Sequence, residues 1–448
     1  MRVLLVANFY PPDSLGGVQL YTHGIARELQ RRGAAVHVLC AGDWTQGERH
    51  LNRVENSHYD GVPVTRVHLN WAKSPDPFRS LYDDSDTGTV AQAVIDEFRP
   101  SLVHITSCEP LSASIIIAAK RASLPVVMTL AGYWFICPQI TLRHADGHIC
   151  NAQVSTWECT RCLAWDSKIY RWSQVLPPAV QEALLTTVGR QPWLSRQRGF
   201  IGMIGNMEDR RRTLSSAFAQ VDVILSISRY VKDVFASSGQ LSGENIRVHE
   251  WGLPTVLATQ ADRHAINSRP PLRIAYFGRV APSKGVHVLI NAFMQLHGDV
   301  ALYLHGSSDG GSLAYDAQLR AVTVSDPRVH FLGQYQPGEA VRLMATYSMI
   351  VVPSTVPETY NLVAREALLA HTPVVASNVG AIPDAIWHER NGLLVEPNDV
   401  ADLAAALQRL VDDPALRERL ANGPRSVKTL EQEMDELMAI YCSLLPAT

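Results

Sequence analysis

The sequence predicts an α/β protein built from two doubly wound domains, and three observations predict this fold class. Short runs of valine, isoleucine and leucine alternate with amphipathic stretches throughout, which is typical of parallel strands covered by helices on both faces. The alternation restarts at Leu272-Arg-Ile-Ala-Tyr-Phe-Gly278, much as it began at Arg2-Val-Leu-Leu-Val-Ala7. A chain of 448 residues is also too long for one ordinary core.

Each strand is predicted from a continuous apolar run. In the first half these runs are 2–7, 35–40, 64–68, 101–106, 126–131 and 221–228. In the second half they are 272–278, 301–306, 329–333, 349–354, 373–378 and 392–397. The stretches between them repeat apolar residues at helical spacing, so we expect helices there.

The domain limits follow from changes in this pattern. We expect a first domain over 1–252, a polar linker over 253–271, a second domain over 272–428 and a closing helix over 429–448. That helix is apolar on one side, and packing back on the first domain is one hypothesis for it. The alternation stops over about 137–214, which predicts an insertion.

Charge and hydropathy exclude several classes of protein. The formal net charge of −3 argues against a dedicated nucleic-acid binder. The apolar start is too short for a signal peptide or a membrane span, and no other run approaches the roughly 20 apolar residues that a spanning helix needs. We therefore expect a cytoplasmic protein.

Two glutamates in the second half indicate a ligand site. Glu358 and Glu366 lie on either side of a predicted helix start, shortly after the apolar strand that ends at Ser354. The first turn of a helix offers unpaired N–H groups and partial positive charge, which suit a phosphate. Carboxylates beside that phosphate suit the hydroxyl groups of the molecule that carries it.

Two cations on another loop strengthen this prediction. Arg279 and Lys284 lie within Gly278-Arg-Val-Ala-Pro-Ser-Lys-Gly285, directly after the first strand of the second domain. A guanidinium binds a diphosphate through parallel hydrogen bonds, and a lysine adds a mobile charge. When a diphosphate is the leaving group, the reaction depends most on neutralising the negative charge of that diphosphate. Together the two loops predict a nucleotide-sugar site.

A third loop follows the first strand of the chain. Gly16 and Gly17 open a helix there, and the lack of side chains permits a close backbone approach. Because the loops 8–17, 278–285 and 354–361 all follow strands, we expect them to face one central cleft. His104, at the end of a first-domain strand, is a further candidate, although a lone histidine at that position is more often structural.

These motifs together resemble the retaining GT-B glycosyltransferases of family 4, also called glycosyltransferase group 1. The resemblance rests on the spacing of Glu358 and Glu366, Gly278-Arg279 with Lys284-Gly285, Tyr10-Pro-Pro-x4-Gly16-Gly17 and Gly392-Leu-Leu-Val-Glu-Pro397. It covers nearly the whole chain and is strongest over 272–412. It implies two Rossmann-like domains that face a central cleft, and transfer of a sugar with retention from a nucleoside diphosphate to a hydroxyl of a glycan, lipid-linked or natural-product acceptor. It also implies a nucleoside diphosphate as product and no catalytic cofactor.

The resemblance further implies roles for single residues. Arg279 and Lys284 would bind the donor diphosphate, Glu366 the ribose, and Glu358 would lie against the transferred sugar. We assign catalytic roles to Glu358, Arg279 and Lys284. The predicted donor-binding residues are Gly278, Arg279, Lys284, Glu358, Tyr360, Asn361, Leu362, Val363, Glu366, Gly16 and Gly17, and those on the acceptor side are His104, Ala131, Tyr133 and Trp134.

The chain departs from the family pattern at two places. Tyr360-Asn361 stands where the family often has an aromatic residue and glycine, and we expect the turn to persist because asparagine tolerates a positive φ. Ala131-Gly132 stands where relatives often have His-Asp near position 6 of the donor sugar. One hypothesis is a donor without a 6-hydroxyl, such as a 6-deoxy sugar, which equal turnover of hexose and 6-deoxy donors would contradict. The alternative is that another side chain compensates.

Four of the seven cysteines cluster in the insertion. Cys137, Cys150, Cys159 and Cys162 include one Cys-x-x-Cys pair, and His144 and His148 are available as substitutes. Four thiolates match a structural zinc, while ordinary thiols or disulfides are the alternatives.

Tryptophans and arginines follow the cysteines in the insertion. This composition is compatible with peripheral contact with the anionic inner membrane surface, or with a lid that packs on its own domain. The competing functions are a catalytically degenerate sugar-nucleotide-binding protein, and an epimerase of UDP-sugars or a phosphorylase on the same fold. Nucleotide binding without hydrolysis or transfer would identify the first of these.

Overall fold

The computed structural model describes residues 1–189, 191–241, 245–254, 270–308, 312–336 and 338–446. Its contacts divide the chain into two units, one formed by Met1–Glu250 with Glu433–Thr448 and the other by Trp251–Gln432. Most of the expected linker, 255–269, lies outside the described residues. The domain limits drawn from the sequence stay predictions.

The first unit contains an eight-stranded sheet. Its order is β3-β4-β2-β1-β5-β6-β7-β8, and each neighbouring pair is parallel except β3 with β4. The strands are β1 (Arg2–Ala7), β2 (Ala35–Ala41), β3 (Leu51–Tyr59), β4 (Val62–Leu69), β5 (Leu102–Ile105), β6 (Val126–Leu130), β7 (Val223–Ser226) and β8 (Ile246–Val248).

Helices surround this sheet and fill the insertion. They are α1 (Gly17–Arg31), α2 (Ser85–Phe98), α3 (Ser114–Arg121), α4 (Thr156–Ala164), α5 (Lys168–Ser173), α6 (Pro178–Gly189), α7 (Pro192–Ser195), α8 (Phe200–Phe218) and α9 (Arg229–Ser237), with 3-10 turns at Trp71–Lys73 and Arg79–Leu81. In the described part of the chain five successive helices, α4 to α8, lie between β6 and β7, so the βα alternation is interrupted there.

The second unit contains a parallel six-stranded sheet with the order β11-β10-β9-β12-β13-β14. Its strands are β9 (Leu272–Phe277), β10 (Val300–His305), β11 (Val329–Gly333), β12 (Met349–Val352), β13 (Val374–Ser377) and β14 (Gly392–Val395). Its helices are α10 (Val286–Phe293), α11 (Leu313–Thr323), α12 (Ala340–Met344), α13 (Leu362–Leu369), α14 (Ile382–Ala385), α15 (Val400–Asp412) and α16 (Pro414–Ala421), with a 3-10 turn at Pro282–Lys284.

Strand order places the second-unit motifs side by side. The strands β9 and β12 are neighbours, with Ile274 opposite Met349, although they are far apart in the chain. Strand order reverses at β9, which lies between β10 and β12. In doubly wound sheets, ligands bind at this kind of reversal, beyond the carboxyl ends of the strands. The loops that follow β9 and β12 carry Lys284 and Glu358.

The closing helix α17 (Leu430–Leu444) contributes most of its length to the first unit. The Tyr21 hydroxyl donates to Glu433 Oε1 over 2.6 Å. The Tyr441 hydroxyl lies 2.6 Å from Nδ1 of His104. Glu433, Tyr441 and His104 are all completely buried, so these polar contacts are part of the packing.

No helix among the described residues is both long enough and apolar enough to cross a membrane.

Candidate functional site

The loop after β9 is held in shape by its backbone. Gly278 has a φ of +138°, and its N–H donates to the His305 carbonyl over 3.0 Å. Gly285 has a φ of +70°, and a Cβ built on it would lie 1.8 Å from the carbonyl oxygen of Pro353. The N–H of Thr355 donates to the Ser283 carbonyl over 2.9 Å. Glycine is therefore required at Gly285 for the two motif loops to approach each other.

An ion pair joins these two loops. Lys284 Nζ lies 2.7 Å from Glu358 Oε1, and the Ser354 hydroxyl donates to the same oxygen over 2.6 Å. The two charged side chains are 28% and 11% exposed. Burial works to raise the pKa of Glu358, but the charge and hydrogen bond of Lys284, with the bond from Ser354, outweigh it and lower this pKa. Glu358 is therefore ionised at neutral pH.

The start of α13 lies beside this pair. Asn361 has a φ of +59°, and its Oδ1 accepts a hydrogen bond from the Ala364 N–H over 2.9 Å. This confirms the expectation that asparagine adopts the left-handed conformation here. Leu362 and Val363 form the first turn, whose N–H groups have no acceptor within the helix. Tyr360 is buried, and its hydroxyl donates to the Trp251 carbonyl.

Glu366 is the fifth residue of α13 and is partly buried. Burial raises the pKa of its carboxyl to about 7. Burial also raises the pKa of Tyr335, and the charge of Glu366 raises it further, so these two side chains interact electrostatically. Tyr335 follows β11 at the same edge of the sheet. Within the described residues no hydrogen bond or ion pair involves this carboxyl, so it is suited to accept hydrogen bonds from hydroxyl donors.

The pH dependence of stability tests this description of Glu366. Because the folded-state pKa is raised from 4.5 to about 7, the protonated carboxyl stabilises the fold at low pH, and this contribution is lost as the pH rises through that interval. Glu366→Gln, which resembles the protonated acid, should therefore gain stability over wild type between pH 4.5 and 7. We expect a gain of about 2 kcal/mol in the free energy of unfolding, measured by urea denaturation. A fully buried carboxyl would give more, at roughly 1.4 kcal/mol per pKa unit.

The matched control for this measurement is Glu418→Gln, at an exposed position of α16. Its stability relative to wild type should not change over the same pH interval. An equal pH-dependent gain in both variants would show that Glu366 is not the group responsible.

The sequence interpretation missed two parts of this site. Ser354 donates to Glu358, and Gly380, with a φ of +61°, lies against it. A Cβ on Gly380 would be 2.3 Å from the Glu358 nitrogen, and the Ala381 N–H donates to the Glu358 carbonyl over 2.8 Å. The only signal for Gly380 is a glycine shortly after an apolar strand, which is common in turns.

In the first unit, Gly16 and Gly17 are exposed at the start of α1. Gly16 is extended (φ −76°, ψ 172°), and a Cβ on it would lie 2.4 Å from Oε1 of Gln19. Gln19 donates to Asn8 Oδ1 over 2.7 Å. Glycine at 16 therefore leaves room for this side-chain bond, which ties α1 to the loop after β1.

Two of the residues expected on the acceptor side, His104 and Tyr133, are buried inside the first unit. His104 is completely buried, and its two ring nitrogens lie 2.6 Å from the Tyr441 hydroxyl and 2.8 Å from Thr129 Oγ1. Burial lowers its pKa to about 3, so it is neutral and cannot reach an acceptor in this conformation. Tyr133 is 1% exposed and belongs to the core. Ala131 is partly exposed, and Trp134 borders a cavity.

The four clustered cysteines line one cavity of about 250 Å³ together with His144 and His148. Cys159 and Cys162 lie three residues apart on α4, and all four thiols are free. Within the described part of the chain, no three of these thiols have their sulfur atoms within 4.8 Å of one another, whereas donor atoms of His144, Asp146 and His148 do. The structure therefore gathers the predicted ligands without closing a tetrahedral set.

Comparison with known proteins identifies the family. The family model for glycosyl transferases group 1 matches residues 271–413, and that for a glycosyl transferase 4-like domain matches residues 16–176. A D-inositol 3-phosphate glycosyltransferase of Thermomonospora curvata is 32% identical over 296 residues, which cover 56% of this chain and 68% of that protein. The chain belongs to the group 1 glycosyltransferases.

Other similarities of this glycosyltransferase are more limited. A glycogen synthase of Mycobacterium tuberculosis is 34% identical over 158 residues, 35% of this chain and 37% of that protein, so the match spans little more than a third of that relative. The crystal structure of Anabaena HepE in complex with UDP and glucose is 17% identical, has a TM-score of 0.66 and covers 98% of this chain and 99% of the other. This structural likeness establishes the GT-B fold of two parallel-sheet α/β domains.

Proposed function

We propose that this group 1 glycosyltransferase moves a hexose-type or deoxyhexose sugar from a nucleoside diphosphate to an acceptor hydroxyl, with retention of configuration. The supporting observation is the Lys284–Glu358 pair of 2.7 Å beside the first turn of α13. It brings a mobile cation, a carboxylate and helix N–H groups together at one edge of the second sheet. These groups match the charges of a nucleotide sugar.

The roles follow from the charges. Arg279, which is exposed, and Lys284 bind the diphosphate and neutralise it as the bond from the sugar to phosphate breaks and the bond to the acceptor oxygen forms. The acceptor hydroxyl gives its proton to the departing diphosphate. When the donor is absent, Lys284 is held by Glu358. When the donor is bound, Glu358 accepts hydrogen bonds from the sugar and Glu366 from the ribose. We expect no catalytic cofactor, and a nucleoside diphosphate as product.

A panel of nucleotide sugars tests this proposal. UDP-, ADP- and GDP-hexoses and 6-deoxyhexoses are screened first by thermal shift and then by release of nucleoside diphosphate, and the anomeric configuration of the product is read by NMR. We expect one donor to be used with retention. Glu366→Ala should weaken binding of the matching nucleoside diphosphate about tenfold, because hydrogen bonds to a charged group are lost. An inverted product, or nucleotide binding without hydrolysis or transfer, would overturn the proposal.

We further propose that the clustered cysteines bind a structural zinc. Four thiolates around one cavity form a donor set that zinc prefers, and the metal would fix the insertion without taking part in transfer. Zinc binding requires the sulfurs to come closer, since Zn–S distances are about 2.3 Å. Cys137, Cys150, Cys159 and Cys162 would hold it.

Metal analysis of protein purified without added zinc tests this site. We expect about one zinc per chain, and loss of it in Cys159→Ser. Cys442→Ser, which changes an exposed cysteine outside the cavity, is the control and should retain the metal. A folded wild-type protein that contains almost no zinc contradicts the site.

The insertion also supports peripheral membrane contact. Trp172, Val175 and Trp193 are 82%, 86% and 65% exposed, and Arg171 and Arg196 nearby are exposed as well. Exposed tryptophans with arginines favour an anionic lipid surface. We expect the protein to float with phosphatidylglycerol vesicles and Trp172→Ala/Trp193→Ala to reduce this. Wild-type protein that stays in the unbound fraction would exclude the contact.

A further inference from the structure

A second cavity, of about 380 Å³, lies in the first unit at the carboxyl ends of its central strands. Its wall includes Phe9 after β1, Trp44 after β2, Glu109 after β5 and Trp134 after β6. Arg210 of α8 completes it from the insertion. The carboxyl edge of a doubly wound sheet is where such domains bind small molecules, and this volume is large enough for one.

Aromatic rings form much of this wall. Phe9, Trp44 and Trp134 present apolar surface, and Trp134 and Phe135 are packed edge to face at 4.9 Å, which holds Trp134 in place. A rigid aromatic wall favours a ligand with a flat apolar face. The C–H faces of a pyranose or cyclitol ring have this character, while its rim carries hydroxyl groups.

Glu109 is the unexplained polar group of the cavity. It is partly buried, and within the described part of the chain no hydrogen bond or ion pair involves its carboxyl. Burial raises its pKa to about 7, and the charge of Arg210 counteracts this only in part. A partly buried carboxyl in a cavity wall that makes no hydrogen bond within the described residues can accept hydrogen bonds from a ligand that supplies donors.

Arg210 provides the complementary charge. It is 9% exposed, and one of its N–H groups donates to the Trp134 carbonyl. Burial lowers its pKa to about 10, so it remains a cation at neutral pH. With one acid and one base in its wall, the cavity presents an ion of either sign with one attractive and one repulsive group. Neither kind of ion gains a clear electrostatic advantage, which favours a neutral ligand.

We propose that this cavity binds the acceptor as a neutral, hydroxyl-bearing ring, a saccharide or cyclitol, and that Glu109 accepts hydrogen bonds from its hydroxyls. This inference rests on the proposed function for the identity of the ligand as acceptor. In this proposal Glu109 selects ligands that carry hydroxyl groups, and the aromatic wall selects cyclic ligands over open-chain ones.

Ligand-observed NMR with a panel of neutral para-nitrophenyl pyranosides tests the proposal. We expect at least one pyranoside to bind wild type, and Glu109→Gln to weaken it at least about tenfold, since the charged acceptor is lost but the shape is kept. Glu97→Gln, at an exposed position near the end of α2, is the matched control and should bind as wild type does. Because the Glu109 carboxyl makes no hydrogen bond within the described part of the chain and burial disfavours its charge, Glu109→Gln should unfold at the same temperature as wild type or higher.

Nucleoside diphosphate binding, measured on the same samples, separates the two proposals. Unchanged nucleotide binding with selective loss of the pyranoside in Glu109→Gln supports the acceptor cavity. Equal pyranoside binding by wild type and Glu109→Gln overturns it, and so does a panel in which no pyranoside binds while the nucleotide does. If no nucleotide binds to wild type, the proposed function itself fails, whatever the pyranosides do.

Discussion

Replacing Lys284 with alanine is expected to lower kcat/KM for sugar transfer by at least about a hundredfold. The change removes one of the two cations that we assign to the donor diphosphate, and loss of one electrostatic group of this kind costs roughly 10²–10³ in rate. It also leaves Glu358, 11% exposed, without its 2.7 Å ion pair. The uncompensated carboxylate would then repel the incoming phosphate, so donor binding and turnover should both decrease.

The double variant Lys284→Ala/Glu358→Gln separates these two effects. Removing the second charge should recover the stability lost in Lys284→Ala, because no buried charge is left unpaired. It should not recover transfer, because the cation for the diphosphate is still missing. Lys232→Ala, in the first unit, is the control for a lysine outside the site and should keep wild-type kinetics. Near-normal kcat/KM in Lys284→Ala would exclude the assigned role.

Replacing Gly380 with alanine is expected to impair both folding and transfer without changing any functional side chain. The added Cβ would lie 2.3 Å from the nitrogen and 2.4 Å from the carbonyl oxygen of Glu358. A φ of +61° costs an L-residue about 1–2 kcal/mol, and overpacking about 1–3 kcal/mol more. Relief of the clash must move the backbone of Glu358. A displacement of about 1 Å is enough to lower kcat about a hundredfold.

Gly333→Ala is the matched control for Gly380→Ala. Gly333 also has a positive φ, +74°, but among the described residues no atom beyond its own chain neighbours lies within 4 Å of the position that its Cβ would take. In urea denaturation the free energy of unfolding of this variant should fall by only about 1–2 kcal/mol, the cost of the positive φ. In a diphosphate-release assay its kcat should equal that of wild type. Equal losses in both variants would mean that φ alone, and not contact with Glu358, causes the effect.

The fold could largely be predicted from the sequence. All twelve apolar runs became strands, because strands buried on both faces need continuous apolar residues. The two strands that were missed have other compositions. β3 (Leu51–Tyr59) is polar and partly exposed, and it forms an antiparallel edge, while β8 has only three residues. Edge strands are stabilised by backbone hydrogen bonds to one neighbour, which leave little trace in hydropathy.

The candidate site could be predicted only in part. Glu358, Glu366, Arg279 and Lys284 could be proposed from the sequence because short motifs after strands have a recognisable chemistry. The role of His104 could not be decided from the sequence, since a histidine at a strand end looks the same whether it meets solvent or, as here, Tyr441 of a helix more than three hundred residues away. Glu109 gave no signal, because its isolation depends on what surrounds it and not on its neighbours in the chain.

Short stretches of this chain determine its local structure, because apolar runs form the strands and Asn361 begins α13. The phosphate-binding role proposed for Arg279 and Lys284 also comes from one short stretch. Burial and helix-start preferences act within a few residues, so they can be read directly. The pairing of Lys284 with Glu358, the contact of Gly380 with Glu358 and the position of Glu109 in a cavity wall were decided only by tertiary structure. Strand order brings distant residues to within a few ångströms of one another, and electrostatic and steric interactions act at that range.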